Sequence, residues 1–78
     1  MSSINQISWK VFEKYLLSVG CRFKRQKGDH RVYWKSGLAR PLVVPRDKVL
    51  PVFIILNNLR ILGVSKEDFL KVINKRSP

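Results

Sequence analysis

The stretch Cys21-Arg22-Phe23-Lys24-Arg25-Gln26-Lys27-Gly28-Asp29-His30-Arg31-Val32-Tyr33-Trp34-Lys35 decides how this chain folds. Both of its halves read with a period of two, which belongs to strands, and Lys27-Gly28-Asp29 interrupts them with a turn. In the first half the alternation sets Cys21, Phe23 and Arg25 on one side and Arg22, Lys24 and Gln26 on the other. In the second half it sets His30, Val32 and Trp34 against Arg31, Tyr33 and Lys35. Two such runs joined by a glycine turn predict an antiparallel hairpin, and Ser36-Gly37 turns the chain once more.

Upstream of the hairpin the period is helical. Ser8 suits a cap, Phe12, Leu16 and Val19 recur at helical spacing with Val11 and Tyr15 beside them, and Gly20 is the stop. Downstream, Leu38 to Val44 predicts a third strand, with Pro41 at an edge or a bulge because it has no amide hydrogen to give a ladder. Pro45-Arg46-Asp47-Lys48 reads as a polar loop. A second helix starts near Pro51 and ends before Gly63, with Val52, Ile55, Leu56, Leu59 and Leu62 as its core stripe. Ser65-Lys66-Glu67-Asp68 has the form of a capped start for a short last helix, whose Phe69, Leu70 and Ile73 pack back on the body. The order predicts one α+β domain over residues 1–78: a helix, a three-stranded antiparallel sheet, a helix and a short C-terminal helix, with the helices on one face. Double-stranded-RNA-binding domains share that topology, but topology alone does not assign a function.

The charge balance narrows the choice of partner. Sixteen Lys and Arg stand against five Asp and Glu, a formal net charge of +11 on 78 residues. A domain of this size hides only about 60% of its unfolded surface, so its core is thin, and in a compact body such an excess repels itself unless a polyanion answers it. Nucleic acid fits, because cations that displace condensed counterions supply most non-specific affinity. An anionic membrane surface or an acidic protein also fits on charge. Cys21 is the single cysteine, so no internal disulfide forms, and a reducing compartment, the cytoplasm, is expected. The opening Met-Ser-Ser-Ile-Asn-Gln has no export pattern, and the apolar stretch Val49 to Leu56 contains Pro51 and is too short to span a bilayer, so neither export nor membrane insertion is expected.

Arg22, Lys24, Arg25, Lys27, Arg31 and Lys35 cluster against one acid, Asp29, and make the strongest positive density in the chain. With Tyr33 interleaved, such a sheet surface suits sugar–phosphate contact, the ring stacking on an unpaired base. The plainer reading is a solvated charged face. His30 is the sole histidine. Imidazole takes and gives a proton near neutrality, and RNA carries its own nucleophile in the 2′-hydroxyl, so a base beside that hydroxyl needs neither metal nor cofactor. One His, one Cys and five scattered carboxylates offer no metal site. Lys27, Arg31 or Lys35 would meet the charge developing on phosphorus. The competing reading makes His30 a packed or hydrogen-bonded strand residue beside Val32 and Trp34. Asp29 reads as a turn residue and Gly28 as a position of positive φ. On the second helix, Ile54 and Ile61 lie opposite the core stripe, flanked by Phe53, Asn57 and Asn58. Either the last helix covers them or they form a face for a partner protein or a second copy.

These residues carry a resemblance. Arg25-Gln26-Lys27-Gly28-Asp29-His30-Arg31-Val32-Tyr33 resembles the HicA (YcfA-like) family, in which a basic strand leads to Gly-Ser/Asp-His and a second strand. Leu42-Val43-Val44-Pro45 is similar to that family's third strand and closing proline, and the run from Leu62 to Leu70 to its Gly-hydrophobic-Ser-x-Glu-x-Phe ending. The resemblance covers the chain from Ser8 to about Ile73. It implies a fold like that of double-stranded-RNA-binding domains and the toxin of a toxin–antitoxin pair. It further implies arrest of translation by mRNA cleavage, neutralisation by a HicB-type antitoxin that covers the site, and a catalytic role for His30. Where many relatives carry a second histidine this chain has Arg31, so a scheme with two histidines is not open to it. The expectation is a metal-independent endoribonuclease, monomeric when free, with a non-catalytic RNA-binding module on the same basic sheet face as the alternative.

Overall fold

The computed structural model describes residues 6–76. Helix α1 spans Trp9–Ser18, and Ser8, in extended backbone, caps it by accepting a 3.2 Å hydrogen bond from the Val11 amide. Its apolar stripe buries Phe12, Tyr15 and Leu16. Strands β1 (Arg22–Lys27), β2 (His30–Trp34) and β3 (Leu42–Pro45) form an antiparallel sheet in that order, so β2 is central. Helix α2 spans Val52–Leu62 after Pro51 and stops at Gly63, whose φ of +77° needs no side chain. Helix α3 spans Lys66–Arg76; the Asp68 amide donates to Ser65 Oγ at 3.1 Å, and Glu67 and Asp68 lie in its positive first turn.

The α+β order is the one the sequence predicts, with three differences of detail. The third strand begins at Leu42, not Leu38, because Pro41 has no amide hydrogen and the chain bends through residues 38–41 before it enters the ladder. Helix α3 has 11 residues, as many as α2, and is not short. Of the predicted α2 stripe, Ile55 and Leu59 are buried while Leu56 is exposed, and Asn58 takes a buried place instead. The Asn58 amide donates to the carbonyls of Val43 and Ile54, both at 3.1 Å, so a polar group closes α2 onto β3 without a lost hydrogen bond.

One face of the sheet carries the core. Tyr33, Leu42 and Val44 pack with Phe12, Leu16, Ile55 and Phe69 in a single buried cluster. The Phe69 ring stands edge-on to Phe12 and Tyr15, with centroids 5.6 and 4.7 Å away, and so joins α3 to α1. Backbone bonds strap the segments that precede the first two helices: the Trp9 amide donates to the Asp47 carbonyl at 3.1 Å and the Leu50 amide to the Ile7 carbonyl at 2.7 Å. Tyr33 is wholly buried. Its hydroxyl donates to Glu13 of α1, which also accepts from Arg31 Nε at 2.9 Å. Burial, helped by the Glu13 carboxylate, pushes the Tyr33 phenol up to about 12. The opposite sheet face holds His30, Val32, Trp34 and Val43, of which His30, Trp34 and Val43 are exposed.

Two outcomes follow from this packing. Phe69→Ala removes a fully buried ring and should cost about 3–5 kcal/mol in urea unfolding, whereas Phe53→Ala, at 70% exposure, should change stability by no more than about 0.5 kcal/mol. Tyr33 titrates at an ordinary 10.0 when unfolded and about 12 when folded, so its contribution is complete below pH 10 and is lost as the pH rises through 12. The urea midpoint of the wild type should therefore fall relative to that of Tyr33→Phe across this window; parallel curves would contradict the assignment.

Candidate active site

The pairing of β1 with β2 contains an irregularity that rearranges the charge. Arg22 pairs with Trp34 and Phe23 with Tyr33, after which Arg25 pairs with Val32, Gln26 with Arg31 and Lys27 with His30, leaving Lys24 as the inserted residue. Cross-strand partners share a face, so Arg22, Arg25 and Lys27 lie on the side of Trp34, Val32 and His30. Strict alternation, which the sequence predicts, would have put Arg22 and Arg25 on opposite sides. Lys24 joins them, its Nζ 5.8 Å from the centre of the Trp34 ring. Arg22, Lys24, Arg25 and Lys27 thus gather on the open face with His30.

The other predicted contacts are not brought together with them. Tyr33 has no exposed surface and its hydroxyl is bound to Glu13, so its ring cannot stack on a base; the aromatic ring on the open face is that of Trp34. The signal for Trp34 was its even spacing from His30 along one strand. Arg31 points to the core side of the sheet. Its guanidinium is held by Glu13, by Tyr33 at 3.2 Å and by Gln26 at 2.9 Å, and lies between the rings of Phe23 and Trp9 at 4.0 and 5.2 Å. Those bonds hold the charged form, the one to Tyr33 most of all, and keep the guanidinium from meeting a phosphate at His30. Lys35 lies beyond the far end of β2, beside Gly20 and Arg22, about 16 Å along the strand from His30. Its charge acts on Cys21, where burial pushes the thiol up and Lys35 offsets part of the shift.

His30 is open. Its side chain is 56% exposed, with Nδ1 3.9 Å from a carboxylate oxygen of Asp29, beyond hydrogen-bond reach. The turn that delivers it is tied on two sides: Gln26 Nε2 donates to the Gly28 carbonyl at 2.9 Å and the Arg46 amide to the Asp29 carbonyl at 2.8 Å. Gly28 sits at φ +61°, in the left-handed region. On the side of β3, His30 and Pro45 border a groove of about 320 Å³ walled by Val43, Ile54 and Ile61, with Arg40 and Asn57 at its rim. Ile54 and Ile61, which the sequence set beneath the last helix or in a partner face, are half-buried walls of this groove.

A family model for the HicA toxin of bacterial toxin–antitoxin systems matches residues 9–64, from the start of α1 to just past α2. The chain belongs to the HicA toxin family. Every residue of the open face and of the groove lies inside the matched region, and membership gives this HicA protein a toxin's role and implies an antitoxin as its partner. Searches of curated proteins and of solved structures gave no match. Among the described residues no three His, Cys, Asp or Glu side chains come together, and no helix is long and apolar enough to cross a membrane.

The Gly28 turn can be tested directly. A Cβ placed there meets nothing within 4 Å, so substitution strains only the backbone. Gly28→Val should lower stability by about 1–2 kcal/mol, and Gly28→Asn, whose side chain tolerates this region, by clearly less. Equal losses for both, measured by urea unfolding, would place the strain elsewhere.

Proposed function

We propose that this toxin is an endoribonuclease that cleaves mRNA without a metal, with His30 as general base and the surrounding cations holding phosphate. The observation that supports it is an imidazole more than half exposed on the sheet face that also bears Arg22, Lys24, Arg25 and Lys27. Single-stranded RNA tracks along these side chains, and Trp34 offers a ring for one unpaired base. His30 accepts the 2′-hydroxyl proton, the freed oxygen attacks the adjacent phosphorus, and the 5′-oxygen leaves with a proton from imidazolium or water. The products are a 2′,3′-cyclic phosphate and a 5′-hydroxyl. Lys27, the cross-strand partner of His30, meets the charge gathered on the phosphorane. The antitoxin in this reading is of the HicB type and neutralises by covering the same face, where an acidic surface would complement the formal charge of +11. The chain acts in the cytoplasm as a single domain over residues 1–78, monomeric until the antitoxin binds.

His30→Ala should lower the rate of RNA cleavage by about 10²–10⁴-fold while leaving affinity for a 2′-deoxy oligonucleotide intact. Undiminished cleavage by the variant would remove His30 from the chemistry. Tight binding with no cleavage by either protein would make the chain a non-catalytic RNA-binding module. Lys27→Ala should reduce the slope of log affinity against log salt by about 0.7 on single-stranded RNA, which fluorescence anisotropy can measure.

A further inference from the structure

The groove beside His30 has a chemistry that the cationic face lacks. Val43, Ile54 and Ile61 give it apolar walls, and its volume of about 320 Å³ is at the small end of the roughly 300–1,000 Å³ of small-molecule pockets. At its lining sits Asn58, only 2% exposed. Both protons of its amide nitrogen are spent on the carbonyls of Val43 and Ile54. An amide has two donors and one carbonyl oxygen, so these bonds fix which way the group is turned and leave Oδ1 as an acceptor with no donor among the described residues. The side chain is therefore an almost buried acceptor held rigidly by two bonds, among apolar walls, next to the candidate base. Asn57, the exposed residue just before it in α2, adds an amide to the lining, and Arg40 a cation.

We propose that this groove receives one nucleobase of the RNA, selected for an exocyclic amine that Asn58 Oδ1 accepts from, and so sets which nucleotide lies beside the bond that His30 attacks. The inference rests on the ribonuclease reading for its meaning in cleavage, though not for the binding itself. Apolar walls take the faces of a base, which are its least hydrated part, and the polar demand is met only at its edge. Adenine, cytosine and guanine carry an amine. Uracil presents a carbonyl oxygen there, which would face Asn58 Oδ1 acceptor to acceptor and leave both unpaired. Arg40 lines the groove and Lys27 is the cross-strand partner of His30, so both cations suit the phosphates next to the bound nucleotide.

The experiment is a nuclear magnetic resonance titration of the intact wild-type chain with each of the four nucleoside 3′-monophosphates. Adenosine, cytidine and guanosine monophosphates should shift the Asn58 side-chain amide and the Ile54 and Ile61 methyls saturably, and bind about three- to tenfold more tightly than uridine monophosphate. Ile61→Trp, which fills the groove from a half-buried position, should abolish those shifts yet leave the phosphate-driven shifts of Arg22 to Lys27. Shifts confined to Arg22–Lys27, or equal affinity for all four nucleotides, would overturn the proposal. Cleavage assays on homopolymers separate it from the ribonuclease reading. Selective binding in the groove without cleavage sustains the site and sinks the enzyme, whereas cleavage of polyuridylate as fast as of polyadenylate, with no groove shifts, does the reverse.

Discussion

Burial of the Tyr33 ring, with its hydroxyl held by Glu13, decides which way every other side chain of β2 points. A strand has only two sides, and once residue 33 is committed to the core, His30, Val32 and Trp34 are committed to the other. The bond to α1 makes the commitment firm, because a phenol so placed loses its acceptor if the strand slips by one residue. Arg31 serves the same end. Its contacts with Glu13, Tyr33 and Gln26 and its place between Phe23 and Trp9 fasten the hairpin to the helix that begins the fold. A cation that looks like part of a phosphate track is a structural fastener, and the open face is open because the closed one is so fully engaged.

The inserted Lys24 then does for charge what Tyr33 does for orientation. Were it paired in regular alternation instead of bulged out, the arginines and lysines of β1 would divide between the two faces, and some would be forced toward the apolar layer. With it, Arg22, Lys24, Arg25 and Lys27 all reach water on the side of His30. Solvent and salt soften their mutual repulsion, but only a polyanion or an acidic protein cancels it. In the proposed reading, RNA and antitoxin would compete for this one surface.

The order of elements and the exposure of His30 were legible because both rest on local patterns: a period change at Gly20, a glycine turn at Gly28, an even spacing from His30 to Trp34. The bulge was not. All six side chains of β1 are exposed, so no burial pattern records its register, and a run of charged residues reads the same with or without an extra member. The choice between Tyr33 and Trp34 as the free ring was equally hidden, since it depends on Glu13 twenty positions away. By helical spacing Asn58 falls beside Ile54 and Ile61, away from the core stripe; its purpose shows only when the Val43 carbonyl is placed against it. Pro41 was read correctly as unable to join a ladder, yet its effect, delaying the strand until Leu42, needed the bend that precedes it.

The edge-on contacts of Phe69 with Phe12 and Tyr15 join the last helix to the first, and the straps from Trp9 to Asp47 and from Leu50 to Ile7 close the interval between. Partners so distant along the chain cannot meet until most of it exists. A polypeptide still emerging from the ribosome can form the β1–β2 hairpin but not the layer that braces it, and Tyr33 has no finished interior to enter. The face that bears His30 is braced only when synthesis has passed Phe69, so an incomplete copy does not yet hold that face in its finished form.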